Sequence, residues 1–92
     1  MAMNTVFRAL ADPTRREIVQ LLRGGPLSSG AIAERFPTSW ATISRHLAVL
    51  REAGLILQER SGQHILYELN TTVFQDLIKH LMEWVHPGDT HA

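Results

Sequence analysis

A mainly α-helical domain with one small β-hairpin, in the order α-α-α-α-β-β-α, is what this sequence predicts. Three observations predict it. Apolar residues recur at helical spacing between start and stop signals through residues 3–52. Two short runs, Ile56 to Arg60 and His64 to Leu69, flank the turn residues Ser61-Gly62-Gln63. A long amphipathic run then extends from Asn70 to about Val85.

Each element has its own signal. Residues 3 to 10 predict a short helix with Val6, Phe7 and Leu10 apolar. Asp12-Pro13 opens a second helix, with Asp as cap and Pro at the first helical position. It runs to about Arg23 with Ile18, Leu21 and Leu22 inward, and Gly24-Gly25-Pro26 stops it. Ser28 or Ser29 caps a third, short helix carrying Ile32, Ala33 and Phe36, and Pro37 breaks the chain after it. Thr38 or Ser39 opens the long fourth helix. Its apolar positions Ile43, Leu47 and Leu50 face inward, and Gly54 ends it, because a residue without a side chain takes the left-handed conformation at least cost. Ile65, Tyr67 and Leu69 alternate as a half-buried strand requires. Asn70 is the expected cap of the last helix, and residues 87–92 are expected to form a disordered tail of a single domain spanning 1–92.

The third helix, a tight turn and the fourth helix make a helix-turn-helix, and the hairpin after it is a wing. The front of the fourth helix carries Trp40, Ala41, Thr42, Ser44 and Arg45, behind the cap Ser39. A greasy back and a short, donor-rich front suit insertion into the major groove of double-stranded DNA. Arg45 matches the acceptor pair of a guanine, while Arg60 and Gln63 sit at the wing tip, near phosphate or minor groove. His46 borders the apolar face and reads as a packed, hydrogen-bonded residue that braces the helix. Arg15 and Arg16 stand where the helix dipole disfavours cations, so each needs a partner; for Arg15 a salt bridge to an acid is expected.

Charge is zero overall but segregated. Residues 1–51 hold seven arginines against three acids, 7 − 3 = +4; residues 52–92 hold two bases against six acids, 2 − 6 = −4. A positive half can meet phosphate while a negative half stays away from it. The chain has 92 residues and no cysteine, which excludes disulfides and thiolate metal sites. No membrane span or leader is legible, so a cytoplasmic location is expected. No cysteine nucleophile, glycine-rich phosphate loop or paired acid and base argues for catalysis, and the serines at cap positions are explained as caps.

The last helix carries two apolar stripes, Val73, Leu77, Leu81, Trp84 and Phe74, Ile78, Met82, Val85. A chain this small covers one of them, and the other is left for a second copy or another protein. A dimer face of Val6, Phe7 and Leu10 with Phe74, Ile78, Leu81, Met82 and Val85 is therefore expected.

These residues carry a resemblance. The segments ALADPTRREIVQLL, AIAERF, SWATISRHLAVLREAGLI and RSGQHILYELN, with the closing amphipathic helix, resemble the arsenic-repressor (ArsR-type) family of small dimeric winged-helix transcriptional regulators over about residues 5–85. The resemblance implies a winged helix-turn-helix of five helices and a two-stranded wing, dimerised through its first and last helices, and a repressor that binds a pseudo-palindromic operator. YELNTTVFQDL further resembles the sensor-poor autorepressor type found beside sporulation-delay operons, which implies autoregulation and control by a protein inducer or by expression level rather than by a bound metal or other cofactor. Two positions depart from the family: Trp40 replaces a commonly polar residue, and Gln63 a common second wing arginine. Two other readings stay open. The wing and helices could serve protein contact alone, or Asp76, His80 and Glu83, on one face of the last helix, could make a metal-responsive repressor, with His64, His86 and His91 elsewhere.

Overall fold

The computed structural model describes residues 3–85. The elements are α1 (Met3–Leu10), α2 (Pro13–Leu22), β1 (Leu27–Ser28), α3 (Ser29–Ala33), α4 (Trp40–Glu52), β2 (Ile56–Ser61), β3 (His64–Leu69) and α5 (Thr71–Val85). Every element expected from the sequence is present. The strand β1 is an addition: it pairs with β3, so the wing is the outer part of a three-stranded antiparallel sheet ordered β1-β3-β2. Two residues are too few to show an alternation.

The helix starts follow the cap chemistry. Ser28 Oγ accepts the Ala31 N–H, and Ser39 Oγ accepts the Thr42 N–H. Asp12 Oδ2 accepts the Arg15 N–H at 3.0 Å, with Pro13 at the first helical position. That bond holds the Asp12 carboxyl below the ordinary carboxylate range; partial desolvation opposes it, and the charge of Arg15 and the Thr14 N–H reinforce it. The depressed value gives a signed expectation. The stabilisation is complete above the unfolded pKa of about 3.9 and is lost as the pH falls through the lower folded value. Asp12→Ala should cost about 1 kcal/mol at neutral pH, and its deficit against wild type should shrink below about pH 4. Asp12→Asn should still cap without that pH dependence. Urea melts at neutral and acid pH check this; an Asp12→Ala protein as stable as wild type at pH 7 overturns it.

Gly54 ends α4 with φ 78°, and the chain closes a Schellman motif there. The Gly54 N–H donates to Arg51 O at 2.9 Å and the Leu55 N–H to Leu50 O at 3.0 Å, with Leu50 and Leu55 both buried. The hairpin turn is tighter than expected. Ser61 pairs with His64, leaving a two-residue loop in which Gly62 has φ 63° while Gln63 keeps a negative φ. Positive φ at the first loop residue alone is the II′ pattern, which suits the twist of the flanking strands.

One apolar core joins Val6 and Ala9 of α1, Ile18 and Leu22 of α2, Ile32 of α3, Ile43, Leu47 and Leu50 of α4, then Ala53, Leu55 and Ile56, and Val73 and Leu77 of α5. Three expectations change on this evidence. Val6 is fully buried in the chain's own core, so it cannot belong to a dimer face; Val6 and Ala9, three residues apart, form the inward edge of α1. Phe7 and Leu10 flank that edge and stay half-buried. Among the described residues Arg15 makes no salt bridge to an acid through its guanidinium. Instead Nε donates to Ala9 O at 2.6 Å and Nη2 to Arg8 O at 3.2 Å, and Arg16 Nη1 donates to Leu10 O at 2.8 Å. The last carbonyls of α1 carry the negative end of its dipole; Arg8 O already accepts the Ala11 N–H at 3.2 Å, and two arginines from the next helix supply further donors to this end. Asn70 precedes α5, but its side chain does not cap it. The Asn70 amide Nδ2 donates to Gly54 O at 2.9 Å and the Asn70 N–H to Leu55 O at 2.9 Å, tying the start of α5 to the exit of α4.

The two stripes of α5 divide along the helix rather than around it. In its first two turns Val73 and Leu77 are buried and Phe74 is half-buried against the core. In its last two turns Ile78, Leu81, Met82, Trp84 and Val85 are all exposed. The helix runs past the end of the core it packs on.

Candidate nucleic-acid interface

The core fixes which side of α4 faces out. Ile43, Leu47 and Leu50 leave at most 2% of their surface to solvent, which turns Trp40, Ala41, Ser44 and Arg45 outward and leaves Thr42 half-buried. Ser39 and Thr42 are already engaged with each other, their hydroxyls 3.0 Å apart beside the cap bond. Among the described residues no hydrogen bond or ion pair engages the side chains of Arg45, Ser44 or Arg60. Arg45 therefore presents all its donors to a partner, in a fork that suits guanine or phosphate. Trp40 is 53% exposed at the first position of the helix, an apolar surface able to pack on a thymine methyl or a sugar.

The hairpin places Arg60 opposite Ile65, one residue before the end of β2, with Gln63 in the loop. Both are exposed. Arg51, in the last turn of α4, donates from Nη1 to Gln58 Oε1 at 2.7 Å and links the helix to the wing strand. Sequence reasoning missed this link; an arginine in a last helical turn facing a glutamine seven residues on was its only trace. His46 does brace the helix: its side chain is 15% exposed, Nδ1 lies 3.2 Å from Arg15 Nη1, and Nε2 lies 3.9 Å from Asp12 Oδ2.

The C-terminal face offers different chemistry. His80 stands edge-on to Trp84, ring centroids 5.5 Å apart, and Phe7 stacks on Trp84 at 5.9 Å, so α1 meets α5 through aromatic rings. Among the described residues no three His, Asp or Glu side chains converge as metal ligands, Asp76, His80 and Glu83 included. His86, His91 and the tail 87–92 lie outside the described residues. A groove of about 240 Å³ lined by Glu17, Gln20, Leu21, Arg35 and Phe36 is smaller than most small-molecule sites, which begin near 300 Å³.

Residues 10–59 match a helix-turn-helix domain family. The transcriptional repressor SdpR of Bacillus subtilis is 49% identical over 95% of this chain and 97% of its own length. The crystal structure of an ArsR family transcriptional regulator superposes with a TM-score of 0.86 at 26% identity, covering 98% of this chain and 93% of that one. The chain belongs to the ArsR family. The solution structure of the homodimeric winged helix-turn-helix DNA-binding domain Mb0332 of Mycobacterium bovis, described as a possible ArsR-family transcriptional regulator, is a second neighbour. It superposes with a TM-score of 0.74 at 29% identity over 97% of this chain and 80% of that one. In the ArsR-family frame, α3 and α4 are the helix-turn-helix and β2-β3 is the wing. No helix among the described residues is long and apolar enough to cross a membrane.

Proposed function

We propose that this ArsR-family chain is a homodimeric, non-enzymatic transcriptional repressor acting in the cytoplasm. It binds a pseudo-palindromic operator, sits upstream of its own gene's coding region, and needs no metal or other cofactor. One observation carries the reading: α4 has its back locked into the core while Arg45, on an exposed, polar front, has no side-chain partner among the described residues. Ser39, Trp40, Ala41, Thr42, Ser44 and Arg45 contact base edges and phosphates, and Arg60 and Gln63 follow the backbone beside them. The exposed end of α5, with Phe7, Leu10 and Phe74, pairs two copies so that two recognition helices meet the groove about 34 Å apart. The repressor names of its relatives and the homodimeric relative support this assignment. A protein partner that docks on the apolar or acidic C-terminal half serves as inducer, by binding the DNA-incompetent state better than the competent one.

Fluorescence anisotropy with the gene's own upstream DNA tests it. Specific binding should exceed binding to random duplex by about a thousandfold or more and should weaken as salt rises. Equal affinity for both duplexes at low salt overturns DNA recognition and favours a winged helix used for protein contact.

A further inference from the structure

Arg15 joins three elements through one side chain. It sits in the first turn of α2, its Nε and Nη2 donate to the carbonyls of Ala9 and Arg8 at the end of α1, and its Nη1 reaches His46 Nδ1 in the middle of α4. A guanidinium only donates, so Nδ1 is the acceptor and the His46 ring carries its hydrogen on Nε2, toward Asp12. At its other side α1 is joined to the dimerising helix, where Phe7 stacks on Trp84. A continuous chain of contacts thus runs from the exposed end of α5 through α1 to the helix proposed to read DNA.

We infer that the Arg15–His46 pair is a bracket that sets the angle of α4 relative to the dimer frame, so that both are positioning residues for reading two half-sites at one fixed spacing. The inference rests on the repressor reading above. Its physical basis is a division of labour. Ile43, Leu47 and Leu50 hold α4 against the core by apolar contact, which is non-directional and tolerates small rotations of a helix. A rigid, forked guanidinium bonded to two carbonyls and a ring nitrogen is directional, and it resists those rotations. His46 follows Arg45 directly, so a turn of α4 at His46 moves the reading side chain with it. The donors used by Arg15 point at protein groups, which leaves phosphate contact to other arginines.

The test uses the full chain and an operator located by footprinting in its own upstream DNA, compared with the same duplex carrying one base pair inserted at its centre. The insertion turns one half-site by about 34° and shifts it by about 3.4 Å. Wild type should prefer the native spacing by about tenfold or more. Arg15→Ala should remain a dimer by sedimentation and still bind, but its preference should fall to about twofold. His46→Asn, which keeps an acceptor near the Nδ1 position, should retain the preference, and His46→Leu should lose it. Loss of stability alone would weaken both duplexes equally and leave the ratio unchanged. Should Arg15→Ala fail to fold, the two His46 variants decide. Wild-type selectivity in Arg15→Ala or His46→Leu overturns the bracket, as does equal behaviour of His46→Asn and His46→Leu. A wild-type protein that binds no operator overturns the repressor reading and the bracket with it.

Discussion

Ile78→Glu is expected to leave the protein monomeric and to remove operator binding at concentrations that saturate wild type. Ile78 is 57% exposed in the protomer, so a glutamate there does not disturb the fold. It lies amid Leu81, Met82, Trp84 and Val85, all exposed, on a helix whose buried part ends at Leu77. In a dimer paired through this face the carboxylate would be buried without a partner, once in each subunit. Uncompensated burial of that kind costs about 3–5 kcal/mol, which weakens association by more than about a hundredfold. Phe74 is the poorer probe, because it also packs on the core. Loss of pairing also removes DNA binding, since the second half-site is then no longer engaged at the high local concentration a tethered helix enjoys. Sedimentation velocity beside anisotropy reads both effects. A dimeric Ile78→Glu protein, or a wild type that stays monomeric at tens of micromolar, roughly the range where weak pairing shows, places the interface elsewhere.

Arg45→Ala and Arg60→Ala are expected to fail in different ways. Arg45 is on the helix front with no side-chain partner among the described residues, and a forked contact to guanine contributes about 1–3 kcal/mol of discrimination. Two copies act in a dimer, so the operator should lose about 2–6 kcal/mol while random DNA loses far less. Arg60 lies on the wing, where a phosphate contact carries no sequence information. Its removal should weaken all duplexes alike and flatten the slope of log affinity against log salt by about 0.9 for each wing. Titrations of operator and random DNA at four salt concentrations separate the two. Equal losses on both duplexes for Arg45→Ala would move that residue to the phosphate class.

What the sequence made legible and what it did not follow from how far each signal reaches along the chain. Asp12-Pro13, Ser39 and Gly54 act on residues within one turn, and their side-chain chemistry admits few alternatives, so α2 and both ends of α4 could be placed from letters alone. The inward face of α4 was equally clear, and the outward face, with Arg45 and Trp40, followed from it. Arg15, Asn70 and Val6 depended on neighbours that periodicity cannot rank. Nothing local reveals that the carbonyls ending α1 lie within reach of Arg15, or that Gly54 O competes for the Asn70 amide. Val6 looked like any apolar residue of a short amphipathic helix; only the packing of α1 on α2 and α4 turned it inward. The stripes of α5 were visible, but a stripe carries no information about where the core ends beneath it.

The small strand β1 changes how the protein can assemble itself. By pairing Leu27 with Tyr67 it closes a loop of 67 − 27 = 40 residues, and that loop contains α3, α4 and β2 entire. Closing a flexible loop of that length costs roughly 3 kcal/mol of chain entropy beyond a constant. The cost falls on the step that seats the wing, after the local helices can already flicker into existence. The reading helix thus lies inside a ring that is shut by its own wing, with β3 packed on α3 and β2 on α4. The helix-turn-helix is consequently not a cassette that ends with β2, for the strand that closes the ring around it is supplied by the chain beyond.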